Sequence, residues 1–457
     1  MNKKLSAGFK TRYGVADLGF ALITSSIQFF LLFYYTDVAG IDPAIAGAAL
    51  MVGKLTWDAI NDPLFGYWSD RVHSKFGRRR IFMMIGVIPL GIATWIMFSL
   101  PTGLSGTAAF FMVLLTFLLV DTFHTMTSVP YYSLTPELTR DYSERAGLTS
   151  VRMIFSVLGY ILGAALTTIL VGIFEGQGMD THQAWSATGA FFGIVAVVMI
   201  LITTLTIKET GEGVGEPSQL PALKAIGTSF KNKPFLKLMA AFILSSFSFT
   251  VLTALVPYFI TYQLNMPDQV SFVLLVMLVS IGIFLIPAKM LSDRINKGPA
   301  YAIGLLIASI AILFGYLLPH EPTPLIYVIA FVAGMGFSTQ WVSPWSMLPD
   351  VVEYDELLTG ERREGIFYGL WAFLTKFTGA LGVAVAGWSL AWFNYVPNAE
   401  QTPQALFGIR FFFTIVPAIV ILCSLPILFR YPITRANHAE LVKQLAERKA
   451  LAETTKE

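Results

Sequence analysis

Ser69-Asp70-Arg71, followed by Lys75, Gly77, Arg78, Arg79 and Arg80, returns 223 residues later as Ser292-Asp293-Arg294, followed by Lys297 and Gly298. A second pair keeps the same order: Pro136-Glu137-Leu138 and Pro349-Asp350-Val351. Each copy closes a long apolar stretch and opens a polar loop. One such recurrence arises readily by chance; two in register, each at a matched helix end, point to an internal duplication. The halves so defined are 1–207 and 235–430. Between them runs the polar segment 208–234, which carries Gly211, Gly213, Gly215 and Pro217, and a tail, 431–457, follows.

The composition sets the solvent. Hydrophobic residues make up 55% of the 457 and charged residues 13%, whereas a soluble globular chain carries about 25% charged. A membrane helix needs about 20 mostly apolar residues. Spans are expected near 13–36, 45–70, 81–100, 106–133, 150–173, 184–207, 235–262, 268–291, 299–318, 323–348, 365–393 and 405–430. Lys3, Lys4, Lys10 and Arg12 precede a long apolar stretch without a short core and cleavage site, so it reads as a permanent span rather than a leader.

Charge tests that count. With the N-terminus, the even-to-odd loops and the tail on the cytoplasmic side, 27 of the 31 Lys and Arg fall there or, as Lys237, Lys289 and Arg430 do, at the adjoining span ends, and the six outer loops hold none. A wrong helix count would mix basic residues onto both sides. The expected protein is a multi-pass component of the cell (plasma or inner) membrane with both termini cytoplasmic. Its fold class is all-α: twelve transmembrane helices in two pseudo-symmetric six-helix halves. That is the major-facilitator plan, with a solute site between the halves near the bilayer midplane. A net charge of +2 suggests no nucleic-acid partner, the lone Cys423 forms no internal disulfide, and the five histidines lack metal-ligand spacing.

Four basic residues lie inside spans away from these cytoplasmic ends: Lys54, Arg152, Lys376 and Arg410. Arg410 is near an outer end and can snorkel; the other three are deeper, and ionisable groups at depth point to function. In span 2, Lys54, Asp58 and Asp62 are four residues apart and Asn61 is three from Asp58, so all share one face. These hard oxygen ligands suit a desolvated sodium ion, with Asp58 and Asp62 as its carboxylates. Pro63 frees the Ala59 carbonyl as a further oxygen. Without a metal ion, two close carboxylates favour holding a proton. The residues therefore support a coupling cation, Na+ or H+, with no other cofactor; a salt-bridge cluster around Lys54 is the plain alternative.

Span 4 adds Asp121, Thr125, Ser128 and Tyr132 at steps of four, three and four. Thr125 is within reach of span 2, Asp121 is expected as a gate residue toward the outer half, and His124 as a satisfied core histidine. Span 1 carries Asp17, Ala21, Ser25 and Gln28 on one stripe, span 5 brings Arg152, and span 10 brings Ser338, Thr339, Gln340, Trp341 and Trp345. The second half has no acidic residue well inside a helix, so Lys376 is expected to find its partner among Asp58, Asp62 and Asp121.

Tyr34-Tyr35-Thr36-Asp37-Val38, Trp57-Asp58-Ala59-Ile60-Asn61-Asp62-Pro63, Pro130-Tyr131-Tyr132-Ser133-Leu134 and Pro349-Asp350-Val351-Val352-Glu353-Tyr354 resemble the glycoside–pentoside–hexuronide:cation symporters over nearly the whole chain. The resemblance implies that Asp58, Asn61, Asp62 and Thr125 bind the coupling cation. It also implies that Arg152, Trp341 and Lys376 border the solute, with Tyr132 as an aromatic sugar platform. Galactoside carriers of the family grip hydroxyls with one carboxylate in span 1 and one in span 4. Here those positions are Ala21 and Ser128, and Asp17 lies one turn from Ala21, which argues against an α-galactoside. Ser346-Met347-Leu348-Pro349-Asp350 and Phe373-Leu374-Thr375-Lys376-Phe377 also resemble the branch that moves lysophospholipids with sodium.

The expected function is therefore secondary active symport of a small sugar or glycoside with sodium or a proton by alternating access. A lysophospholipid-like amphiphile is the alternative solute. A non-transporting membrane receptor on the same scaffold is the rival class; no nucleophile and base constellation argues for an enzyme. Asp70, Arg71, Glu137, Asp141, Arg145, Asp350, Glu353 and Arg363 are candidate cytoplasmic gate charges, with Glu144 and Arg362 beside them.

Overall fold

The computed structural model describes residues 5–72, 74–139, 142–207, 232–359 and 364–454. Nearly all of 208–234 lies outside them, as do Asp141, Arg362 and Arg363. The first half comprises α1 (Ala16–Phe33), α2 (Pro43–Arg71), α3 (Arg80–Met97), α4 (Gly106–Leu138), α5 (Tyr142–Gly176) and α6 (Thr181–Thr206). The second comprises α7 (Lys233–Tyr258), α8 (Val270–Ile295), α9 (Lys297–Gly315), α10 (Leu325–Thr359), α11 (Glu364–Trp392) and α12 (Val416–Phe429). A shorter helix, Ala7–Gly14, leads into α1, another, Pro403–Arg410, leads into α12, and α13 (Arg435–Thr454) forms the tail.

Local chemistry explains the helix starts. Asp42 precedes Pro43, and its carboxylate accepts from the amides of Ala44 at 2.8 Å and Ile45 at 3.1 Å, satisfying two orphan donors at the head of α2. Asp180 and Gln183 form a reciprocal capping box on α6. The first helix of each half ends alike: α1 runs into a π turn at Tyr34–Val38 and α7 into one at Phe259–Gln263. A π turn adds a residue to the helical repeat and re-aims the side chains beyond it. It turns Asp37 in one half and Tyr262 in the other toward each other.

Eleven segments among the described residues are long and apolar enough to cross a membrane. The twelfth helix, α2, falls short because Lys54, Asp58, Asn61 and Asp62 occupy its middle, yet it continues unbroken through Pro63. It tolerates those groups because its polar face turns onto α4 and α11 rather than onto lipid.

The halves meet along α1 with α7, α2 with α11, and α5 with α8. The outer ends of α2 and α11 are held close by glycine. A Cβ on Gly387 would stand 2.3 Å from the Pro43 carbonyl oxygen, and one on Gly47 would stand 3.2 Å from that of Ala384.

Candidate functional site

The centre of the molecule is an ionic cluster that spans both halves. Lys376 of α11 reaches across to α2, with Nζ 2.5 Å from Asp58 Oδ1 and 2.6 Å from Asp62 Oδ2. It also donates to the Asp58 carbonyl at 2.7 Å. Helical spacing makes this possible: residues 58 and 62 stand one above the other on α2, so one ammonium meets both. Thr125 of α4 donates to Asp62 Oδ1 at 3.2 Å. Asn61 Nδ2 donates to the Asp121 carboxylate at 3.0 Å and to its carbonyl at 3.2 Å. Trp57 Nε1 donates to Thr122 at 2.8 Å and fixes the register of α2 on α4. Lys54 lies half-buried near the charges of Asp58 and Asp121.

Two expectations change here. Asp121 is not a gate side chain at the outer half; its carboxylate is joined to Asn61 inside the cluster. His124 is not a satisfied core histidine either: its Nε2 is buried without a hydrogen-bond partner, and its ring stands edge-on to Phe20 at 5.2 Å. Periodicity placed both side chains on α4 but not the neighbours that α2 and α1 supply.

No group of three or more Asp, Glu, His or Cys side chains that could hold a metal ion is present among the described residues. Around Lys376 the cluster instead mixes the carboxylates of Asp58 and Asp62 with the Thr125 hydroxyl and the Asn61 amide, and the Asp121 carboxylate lies behind that amide. Asn61 is fully buried, and its Oδ1 has no partner. An orphaned carbonyl oxygen beside hard carboxylate and hydroxyl oxygens fits a small monovalent cation.

The second site lies further along α4, around Tyr131 and Tyr132. Arg152 Nε donates to Asp17 Oδ2 at 2.7 Å, and Tyr131 OH donates to the same oxygen at 3.0 Å. The guanidinium lies 4.5 Å from the centre of the Tyr132 ring and 5.1 Å from that of Tyr131. Asp17 thus serves as counter-ion to Arg152 and is 4% exposed, which leaves it little freedom to stand in for the carboxylate missing at Ala21. Ala21 and Ser128 are themselves buried. Tyr132 and Trp341 remain open at 41% and 39%. The span 10 stripe divides: Ser338, Thr339, Gln340 and Ser343 turn into packing, while Trp341 and Trp345 face outward from it. Tyr160 was not anticipated. Its hydroxyl donates to Gln28 at 2.7 Å, and its ring stands edge-on to Trp341 of the other half at 5.7 Å. A tyrosine in an apolar helix carries no spacing signal, so only the packing reveals it.

A third group joins the outer ends of the halves. Asp37 accepts from the hydroxyls of Tyr262 and Tyr395, and its carbonyl accepts from Asn398. Thr36 hydrogen-bonds Tyr258 at 2.7 Å, and Thr168 donates to Ser271 at 2.6 Å. Burial, and then the Asp37 carboxylate, hold the Tyr395 phenol far above its ordinary pKa, so it stays a donor.

At the opposite end of the helix bundle, Asp350 pairs with Lys297 at 2.6 Å, and His438 reaches Glu353 at 2.7 Å and Asp350 at 3.5 Å. Asp350 therefore finds Lys297 within its own half and Glu353 finds His438 in the tail, rather than partners in the first half. Arg145 Nε donates to the Thr139 carbonyl at 2.7 Å, Lys10 pairs with Glu144 at 2.9 Å, and Arg71 ends α2. Asp70 and Glu137 lie at the ends of α2 and α4; their side chains are outside the described set.

Two six-helix halves share one set of ionic groups between them and are pinned together at one end by the Asp37 and Thr36 contacts. The family of MFS/sugar transport proteins matches residues 12–435. The chain belongs to that family. Within the major facilitator superfamily this is the glycoside–pentoside–hexuronide group, and the protein is a multi-pass membrane transporter, not an enzyme. It is 27% identical to a putative glycoside/cation symporter of Escherichia coli, YagG, over 96% of this chain and 95% of that one. It is 28% identical to the sodium-dependent lysophosphatidylcholine symporter 1 of Mus musculus, over 97% and 89%. In fold, the transporter is similar to a bacterial homologue of the human lysosomal transporter Spinster, with a TM-score of 0.70 at 13% identity, covering 96% of this chain and 99% of that one.

Proposed function

We propose that this transporter moves a sugar or glycoside together with one monovalent cation by alternating access between its halves, 1–207 and 235–430. The observation that carries the reading is Lys376 held between Asp58 and Asp62. An ammonium from one half is shared by two carboxylates of the other. A cation that enters at Asp58, Asn61, Asp62 and Thr125 displaces it, and the freed lysine and its helix can then respond to solute. Sodium is the ion that best suits the mixed carboxylate, hydroxyl and amide oxygens. Solute rests near Arg152, Tyr132 and Trp341, where a guanidinium and open aromatic faces lie together. The contacts of Asp37 and Thr36 close the outer end in the conformation described. The charge asymmetry of the loops supports cytoplasmic termini in a plasma or inner membrane.

A lysophospholipid-like amphiphile is the second reading. A crevice of about 430 Å³ opens between the halves near their outer ends, lined by Phe30, Phe33, Trp185 and Phe272 with Glu175 and Asp268. Aromatic walls with carboxylates suit an apolar chain bearing a cationic head.

Solute-induced cation flux in membrane vesicles tests both. Sugars, glycosides, uronides and lysolipids are screened with and without sodium, alongside Asp58→Cys. A sugar-class solute that moves sodium, with coupling lost in the variant, supports the first reading; a response to lysolipids alone replaces it with the second. No cation movement with any solute, and a variant like wild type, would make the cluster structural.

A further inference from the structure

We infer that Asp121 is a positioning residue that turns the Asn61 amide so that its carbonyl oxygen, not its NH2, is presented to the coupling cation. The inference rests on the cation-coupling reading above. Asn61 is fully buried, and its two branches are treated differently. Nδ2 donates twice to one residue, to the Asp121 carboxylate at 3.0 Å and to the Asp121 backbone carbonyl at 3.2 Å. A backbone carbonyl only accepts, so it fixes which branch is the NH2. Oδ1 is thereby left buried and without a partner. A buried acceptor without a donor costs free energy, and a cation repays that cost where a neutral packing partner does not.

The neighbouring contacts place this oxygen in the right company. Asn61 follows Asp58 by three residues and precedes Asp62 on the same face of α2. On α4, Asp121 and Thr125 are one turn apart and address that face at successive levels, Asp121 at Asn61 and Thr125 at Asp62. Were the amide reversed, its NH2 would meet the cation, and its oxygen would face two oxygens of Asp121. Asp121 penalises the reversed form twice, without itself needing to touch the ion.

The test is sodium titration of the purified transporter by calorimetry, which needs no transported solute. Asp121→Leu removes the carboxylate and should weaken sodium binding about tenfold, equivalent to about 1.4 kcal/mol. Asp121→Asn keeps an acceptor for Nδ2 and should stay within about threefold of wild type. In an Asn61→Ala background, Asp121→Leu should have no further effect, because the side chain through which it acts is gone. Asp121→Ala, which also lacks an acceptor, replaces the leucine variant should the latter not fold. If Asp121→Asn loses as much as Asp121→Leu, the charge acts directly and the positioning role is wrong. An unchanged affinity in Asp121→Leu, or a full effect without Asn61, overturns it too. Asp58→Cys separates the two levels. Sodium binding lost there but untouched at Asp121 rejects only this inference, while sodium binding retained in Asp58→Cys rejects the cation reading itself.

Discussion

Replacing Lys376 with alanine should tighten sodium binding, although it removes a central ion pair. The ammonium lies 2.5 Å from Asp58 Oδ1 and 2.6 Å from Asp62 Oδ2, so sodium must displace it before taking those oxygens. The Asp62 side chain is 41% exposed, and water screens that arm to no more than about 1 kcal/mol. The Asp58 side chain is 16% exposed, and a charge-assisted hydrogen bond there contributes about 1.5–3 kcal/mol. Removing this competitor should raise sodium affinity about ten- to a hundredfold, measured by calorimetry on the purified protein. The variant should also melt lower in sodium-free buffer, since two carboxylates then face each other, and regain stability when sodium is added. Solute should no longer alter its sodium affinity, because coupling is reciprocal and its carrier is gone. Sodium binding that is unchanged or weaker in Lys376→Ala refutes the reasoning and makes the lysine an organiser of the site instead of a competitor.

Tyr395→Phe deletes one hydrogen bond to Asp37, worth about 1 kcal/mol. An impermeant thiol reagent should then label Ala384→Cys from outside about fivefold faster. Gly387→Ala places a methyl against the Pro43 carbonyl. It should lower the melting temperature through about 1–3 kcal/mol of overpacking, and it should raise the same outside labelling. Arg152→Lys keeps the charge but loses the planar group that meets Asp17 and overlies Tyr132. Solute affinity should fall about tenfold, as expected for a lost charge-assisted bond, with sodium affinity in the absence of solute unchanged.

The legible part of the site was the part carried by one helix. Asp58, Asn61 and Asp62 on one face of α2 follow from a 3.6-residue repeat, as does Thr125 one turn from Asp121 on α4. The family resemblance added Arg152 and Trp341 near the solute, and the lack of acidic partners in the second half directed Lys376 toward the first. What was missed depends on two helices at once. Asp121 meets Asn61 only when α4 lies on α2 in one register. Asp17 is taken up by Arg152 because α1 and α5 pack closely. Tyr160 and the Asp37 group reach across the halves; nothing around Tyr160 distinguishes it from a packing residue, and the motif around Asp37 does not name its partners Tyr262 and Tyr395.

The residue order alone defines the class of molecule: eleven apolar helices and a more polar one, arranged as a duplication, with charge at membrane depth. These depend on composition and local period, which the bilayer enforces segment by segment. Only the tertiary structure decided how the charges are shared. It gave Asp58 and Asp62 one lysine from the opposite half, gave Asp17 to Arg152, kept Asp350 and Glu353 with Lys297 and His438, and left the Asn61 oxygen without a partner. A buried charge is stable only with a particular neighbour at hydrogen-bond distance. Which neighbour that is depends on helix–helix register, a quantity no single helix contains.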